Sequence, residues 1–542
     1  MIFDRNDLRV QSKSLLSNWD FWGGIDVRIG LTLGAAAAAM AISAPASAAW
    51  QQASSKHFVI YGDMSPAEMT AYASKLEKFD AAARFVRKMS DPNVGDGNRV
   101  QVMVVPTMLD VNRTLGSAEA GVGGYYVGNV VGPFIITPRK ARQILDYAKL
   151  EPEVVFFHEY THHLMLQNTN KPMPSWLTEG FAEFLANPIF NDDGSVGLGT
   201  PATHRAEYLV KGQFAPLTTM LEGNAEKMAM NGYSFQNYIQ GWLMTHYLSF
   251  EPSRKGQIDD YVIRISKGEN ALAAGRAAFG DLGKLESELA VYRRAAKFPY
   301  LKIDATKLTV PPVTVTPMSS AAGEIMMMRV YAKTSYRGLS MGSVLKRARD
   351  IAARAPNDSL VQRTLAEVEY DSKNYDQAGA AADAALKVDP TSVEAMLFKG
   401  RSYLGKGKKA NDPAMFKEAR SWFLKANRTD KEDPEPLYLY YRSYRDANMT
   451  APAGAIDALK YAAVLAPRDL QLQIRLTLEY LRQNMMAQAK AALEPIAFFP
   501  HSGQGARNQA LNALKLIEAN NAKAAIALLE KEAMPKPEDD NA

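Results

Sequence analysis

The chain has no cysteine at all. That excludes disulfide scaffolds, thiolate zinc sites and cysteine nucleophiles, and leaves the core alone to hold the fold. It also lacks a concentration of charge: 63 basic and 58 acidic residues leave a formal net charge of +5 over 542 residues. No basic stripe of the kind that grips nucleic acid is present, so nucleic acid is not an expected partner. Histidine is scarce, with seven in the chain. After residue 48 no apolar run is long enough to span a bilayer. What is there is ordinary: 47% hydrophobic and 22% charged residues, which excludes a chain disordered throughout. At roughly 100–200 residues per domain, two to four domains are expected.

Arg5, Arg9, Lys13 and Arg28 precede an apolar run from Ile29 to Ile42, and Ala46-Ser47-Ala48 follows. This is the n-region, h-region and A-x-A order of a secretory signal. Residues 1–48 are therefore expected to be a signal peptide. The mature protein is expected to be periplasmic or secreted, with no integral span after signal removal. An uncleaved anchor is the competing reading, against which the run of about 14 residues falls short of the roughly 20 needed to cross a bilayer.

Further along, residues 57–62 read as a strand and Pro66 to Met89 as a helix, with Met69, Tyr72, Leu76, Phe79 and Phe85 at helical spacing. Val100 to Val105, rich in β-branched residues, reads as a second strand. A Gly-rich stretch from Gly121 to Tyr126 leads into Phe134-Ile135-Ile136 and predicts a twisted hairpin or edge strand, which could pair an extended peptide. From Pro152 onward the pattern is helical. Residues 303–317 interrupt it with paired prolines and threonines, and predict an inter-domain connection.

The second half repeats. Pro356, Pro390, Pro434, Pro467 and Pro500 fall at spacings of 34, 44, 33 and 33. A period of 34 is that of the tetratricopeptide (TPR) repeat, a helix-turn-helix unit that stacks into a solenoid. Small residues such as Ala366, Ala378, Ala385, Gly400, Ala419, Ala426, Ala455 and Ala462 stand where paired helices must approach closely. The longer second spacing predicts an insertion at Gly405 to Pro413. An all-α TPR-like solenoid is expected over 318–533, with a non-repeating bundle as the alternative and 534–542 as a flexible tail. The concave face of such an array suits a protein partner.

Three of the histidines lie within six residues, in Phe157-His158-Glu159-Tyr160-Thr161-His162-His163. His158 and His162 form H-E-x-x-H, and at i and i+4 their imidazoles sit on one helix face within reach of one zinc ion. Glu159 lies about 100° around the helix, placed for a base and not for a ligand. His163 points away from the paired face and reads as partly solvated. His246 reads as core or as support for a ligand. Downstream, Pro174-Ser175-Trp176-Leu177-Thr178-Glu179-Gly180-Phe181-Ala182-Glu183-Phe184 predicts a second helix. Glu179 and Glu183 are one turn apart, and register alone allows either as third ligand. Glu179 as ligand leaves Glu183 to accept a hydrogen bond from a ligand histidine.

This arrangement resembles the gluzincin metallopeptidases, the clan of thermolysin and aminopeptidase N, in which H-E-x-x-H is followed by a helix bearing a glutamate ligand, often within N-E-G-F-A. Here that segment is Thr178-Glu179-Gly180-Phe181-Ala182. Tyr238-Ile239-Gln240-Gly241 is similar to the Y-E-K-G of the aminopeptidase group. The resemblance implies a zincin-like α+β peptidase domain, expected over 49–302, with 303–317 as linker. It implies zinc held by His158, His162 and Glu179, Glu159 as base, and Tyr238 as oxyanion donor, although Tyr233 or Tyr247 could fill the same space. The implied function is zinc-dependent hydrolysis of a protein or peptide substrate, with the repeats recruiting protein. The G-x-M-E-N that reads a free α-amine in aminopeptidases is missing upstream of His158, which favours an endopeptidase over an aminopeptidase. The other alternative is an inactive peptidase-fold scaffold that binds protein partners.

Overall fold

The computed structural model describes residues 50–533 apart from 118–121, 141, 146–147, 168–172, 202–204, 224–227, 229–232, 234, 468 and 498–503. The expected signal segment and tail lie outside the described residues, as do Gly121, His204, Pro500 and His501. The architecture is mixed α/β, with a sheet in the N-terminal half and a helical C-terminal region.

The strands are β1 (Gln51–Ser54), β2 (Phe58–Gly62), β3 (Val100–Val105), β4 (Tyr125–Val127), β5 (Phe134–Pro138), β6 (Arg142–Leu145), β7 (Ala148–Leu150), β8 (Ile189–Phe190), β9 (Val196–Leu198), β10 (Leu301–Ile303) and β11 (Thr314–Pro317). The main sheet has the order β11-β1-β2-β3-β5-β4. Its centre, β2-β3-β5, is parallel, and β1, β4 and β11 pair antiparallel with their neighbours. Side chains alternate across β2 and β3. Phe58, Ile60, Val100, Val102 and Val104 enter one core, while Val59, Tyr61, Met103 and Val105 enter another. With both faces covered, these strands read as continuous apolar runs and not as alternating ones.

Helix α1 (Pro66–Arg87) crosses between β2 and β3. It starts at a Ser65–Glu68 capping box with Pro66 in the first turn. Its buried Met69, Ala73, Leu76 and Phe79 cover the first face, and they pack against α3 (Pro152–Gln167) through rings such as Phe79 and Phe157, 4.3 Å apart. The second face is covered by Val111 of α2 (Met108–Thr114) and by Met326 and Val330 of the helix Ser320–Ala332.

The chain is not helical throughout after Pro152. A three-stranded sheet, β10-β9-β8, intervenes. Its hairpin turns at Asn191 to Ser195, where Gly194 (φ +80°) donates to the Asn191 carbonyl. That Asn-Asp-Asp-Gly-Ser cluster is a turn signal that the helical periodicity around it overrode. The segment 303–317 connects by entering both sheets: Ile303 pairs with Val196, and β11 lies beside β1.

The C-terminal region is a series of helix pairs: Ser320–Ala332 with Met341–Arg354, Ser359–Asp371 with Tyr375–Val388, Val393–Ala410 with Pro413–Thr429, Pro434–Asp446 with Ala453–Leu465, Leu470–Arg482 with Met486–Ala497, and Gln504–Glu518 with Ala522–Ala533. Ala366, Ala378, Ala385, Ala419, Ala426, Ala455 and Ala462 are all buried between them. The additional residues near 405–413 are not a loop insertion. They lengthen the third pair to helices of 18 and 17 residues, where the second pair has 13 and 14. Gly, Lys and Ala continue the helix there at modest cost.

Candidate metal centre

Three helices build the site. On α3, Phe156, Phe157 and Tyr160 face the sheet and α1, which turns His158 and His162 toward α4 (Ser175–Leu185). Lys75 of α1 pairs with Glu153 at 2.8 Å and fixes the start of α3. Helix α4 is buried along its whole length. It crosses the helix Gln236–Phe250 at a glycine pair. A Cβ on Gly180 would run into the Gly241 carbonyl, and one on Gly241 would lie 2.5 Å from the Trp176 carbonyl oxygen. The glycines thus let two backbones touch. Glu179 precedes one of them and Tyr238 lies one turn before the other, so the crossing carries both side chains to α3.

His158 Nε2 and His162 Nε2 lie 3.2 Å apart, and Glu179 Oε2 is 3.4 Å from the first and 3.5 Å from the second. Three tetrahedral ligands with metal bonds of about 2.0–2.1 Å have donor atoms about 3.3–3.4 Å apart. The triangle therefore fits one zinc-sized cation. Two nitrogens and a carboxylate oxygen are a donor set that zinc accepts. All three residues are buried, with Glu179 at 1% exposure.

The surroundings are strongly anionic. Burial by itself would lower the His158 pKa, but hydrogen bonds donated to Glu179 and Glu183, with the charges of Glu183 and Glu159, push it up to about 10. A cation at the triangle relieves that excess of negative charge. Glu183 faces the other ring nitrogen, with Oε1 3.4 Å from His158 Nδ1. Burial opposes its ionisation, yet Arg205 and His158 hold its pKa down at about 2. The Arg205 guanidinium donates to Glu183 at 2.7 Å and lies 5.1 Å from the Tyr238 ring centre. Tyr238 stacks on His158 at 5.9 Å, and burial, with the nearby charge of Glu179, keeps its phenol protonated well above the ordinary range. Glu159 is half-buried, and its charge is felt at both His158 and Tyr238.

The six residues singled out from the sequence, His158, Glu159, His162, Glu179, Glu183 and Tyr238, thus meet in one place. Of the alternative tyrosines, Tyr247 packs on Tyr292 at 4.9 Å, and Tyr233 is partly buried against the same core as Tyr238, whose ring is the one that stacks on His158. His163 is not partly solvated. It is buried, and its Nδ1 lies 2.9 Å from the Tyr126 hydroxyl, because β4 runs alongside that face of α3. His246 is a core residue bonded to the Pro299 carbonyl and to Tyr292, with its pKa lowered by burial to about 4. Arg205 is the residue of this cluster that the sequence did not disclose. It stands 22 residues from Glu183 with no spacing that marks it.

A second grouping lies under α1. His57 Nδ1 is 2.6 Å from Glu77 and 3.5 Å from Asp80, and Nε2 is 2.9 Å from Asp91. Arg84 bonds both oxygens of Asp80, Lys56 lies 2.6 Å from Asp91, and Tyr160 donates to Asp80 at 2.7 Å.

Compared with protein-family models and with curated proteins, the chain matches none.

Proposed function

We propose that the protein is an exported zinc-dependent endopeptidase of gluzincin type, whose C-terminal helix pairs form a TPR-like array. The observation that carries this reading is the triangle of His158, His162 and Glu179 donor atoms at 3.2–3.5 Å, with Glu159 following the first ligand in sequence. The array reading is supported by helix pairs whose first helices start 34–41 residues apart.

His158, His162 and Glu179 would hold the ion. Bound zinc acidifies water and polarises a carbonyl. Glu159 takes the proton of the attacking water and returns it to the leaving amine. Tyr238, kept protonated, donates to the oxygen that gains charge. Glu183 fixes the His158 ring through Nδ1, and Arg205 holds Glu183 ionised for that task. The peptide lies against β4, which pairs with β5 on one side and ends the sheet on the other.

The test is hydrolysis of peptides blocked at both ends by the full chain loaded with zinc. Cleavage by the parent and none by Glu159→Gln at equal zinc content is the expected result. Cleavage restricted to peptides with a free amino end makes the protein an aminopeptidase, and equal rates for parent and variant sink the reading.

A further inference from the structure

The first helices of the first, fourth and fifth pairs do not stand free. Met326 and Val330 of the first pair pack on the sheet, and Tyr438, Tyr441, Leu472 and Leu476 of the fourth and fifth cluster with Val130. Val130 lies in the turn between β4 and β5, and it is 8% exposed. Its N–H donates to Asp469 Oδ2 at 2.8 Å. The other oxygen of the same carboxylate accepts the N–H of Leu472 at 2.8 Å and caps the helix Leu470–Arg482. One residue thus joins the start of an array helix to the turn that ends the edge strand.

A second loop is seated in the same way. Gly97 N–H donates to Asp430 Oδ2 at 2.9 Å. A Cβ on Gly95 would lie 2.5 Å from Glu432, and one on Gly132 2.9 Å from the Gly97 carbonyl oxygen. Loops that touch at this range are packed against each other and not merely adjacent. From the turn, β4 leads back to the site: Tyr126 bonds His163, the neighbour of His162. By contrast α3 and α4, which carry the proposed metal-binding side chains, join a core that, among the described residues, has no member from the helix pairs.

We propose that the helix array is an internal brace for the peptide-binding edge, and that Asp469 is the positioning residue through which it acts. The array holds β4 in register above α3, so it governs how tightly a peptide docks and leaves the hydrolytic step alone. This rests on the reading of β4 as the edge that pairs with substrate.

Asp469→Ser separates the two roles of the side chain. Serine still caps the helix but is too short to reach the Val130 N–H. The variant is made in the full chain and compared with the parent for zinc content, peptide KM and kcat, and amide hydrogen exchange. Exchange at Val130 and along Tyr125–Val127 is expected to quicken by roughly tenfold or more, as for loss of a hydrogen bond to a charged group. KM should rise by a similar factor while kcat stays within about twofold and zinc content is unchanged. Asp469→Asn, which keeps one acceptor oxygen, should fall between the two. Exchange at parental rates in Asp469→Ser would overturn the brace, as would faster exchange with an unaltered KM, or a loss confined to kcat. Should the parent cleave no peptide, the proposed function falls, and the exchange rates still decide whether Asp469 holds the turn.

Discussion

Among the described residues, two groups of histidine and carboxylate, all buried except Asp91, bring donor atoms close enough for a metal: His158, His162 and Glu179, and His57, Asp80 and Asp91. Hydrogen bonding and charge separate them. At His57 the two ring nitrogens bond carboxylates at 2.6 and 2.9 Å, so the ring is engaged as a donor on both sides, whereas the nitrogens of His158 stand 3.4 Å from Glu179 and Glu183. Arg84 and Lys56 already neutralise Asp80 and Asp91. At His158 and His162 two ring nitrogens face each other across 3.2 Å beside a carboxylate oxygen, and Arg205 is directed to Glu183, away from the triangle. The His57 group is a latch that ties β2, α1 and α3 together through Tyr160. The His158 group is the one whose negative charge a cation would offset.

The comparison breaks if variants in the two groups behave alike. Glu159→Gln should lower cleavage by about 10²–10⁴-fold with zinc retained, the usual range for a general base. It is measured as kcat/KM beside elemental analysis. Tyr238→Phe should cost about 10²–10³-fold, largely in kcat, if the phenol donates to the oxyanion. A rate within a few-fold of the parent would remove that role. Glu183→Gln loosens His158 and should weaken zinc affinity or activity by about 10–100-fold, read by competition with a chelator. His57→Gln should leave zinc content and kcat as they are and lower stability by about 3 kcal/mol, because it strands buried carboxylates.

The last of these has a pH signature. Burial opposes the charge on His57, but the bond to Glu77 and the charges of Asp80 and Glu77 win, so its pKa is raised above 6.5. Its contribution is complete below 6.5 and is lost as pH rises through the raised value. The stability gap between parent and His57→Gln, from urea titrations, should therefore be widest in mild acid and narrow in alkali. A gap that widens with pH would contradict the imidazolium.

The pairing of His158 with His162 was legible because helix geometry makes i, i+4 spacing a statement about space, and the same holds for Glu179 and Glu183. What brings the two helices together was written in Gly180 and Gly241, but the sequence does not say that these glycines face each other. Tyr238 could be placed only once that crossing was known. Arg205 and Asp469 were invisible for the same reason: each acts on a residue distant in the chain, at 22 positions for Glu183 and 339 for Val130. Strand β3 announced itself by its valines. Strands β1 and β11, with glutamine, serine, threonine and proline, did not, because β1 buries only alternate residues and β11, at the sheet edge, buries none fully. The expected solvation of His163 failed because register within one helix says nothing about a strand lying beside it.

The most direct measurement is zinc content of the purified full chain, by elemental analysis without added metal, for the parent, His162→Ala and His57→Ala. The account predicts about one zinc per chain in the parent and in His57→Ala, and none in His162→Ala, as a single three-ligand site requires. A parent without zinc, or zinc that survives in His162→Ala and disappears in His57→Ala, would contradict it.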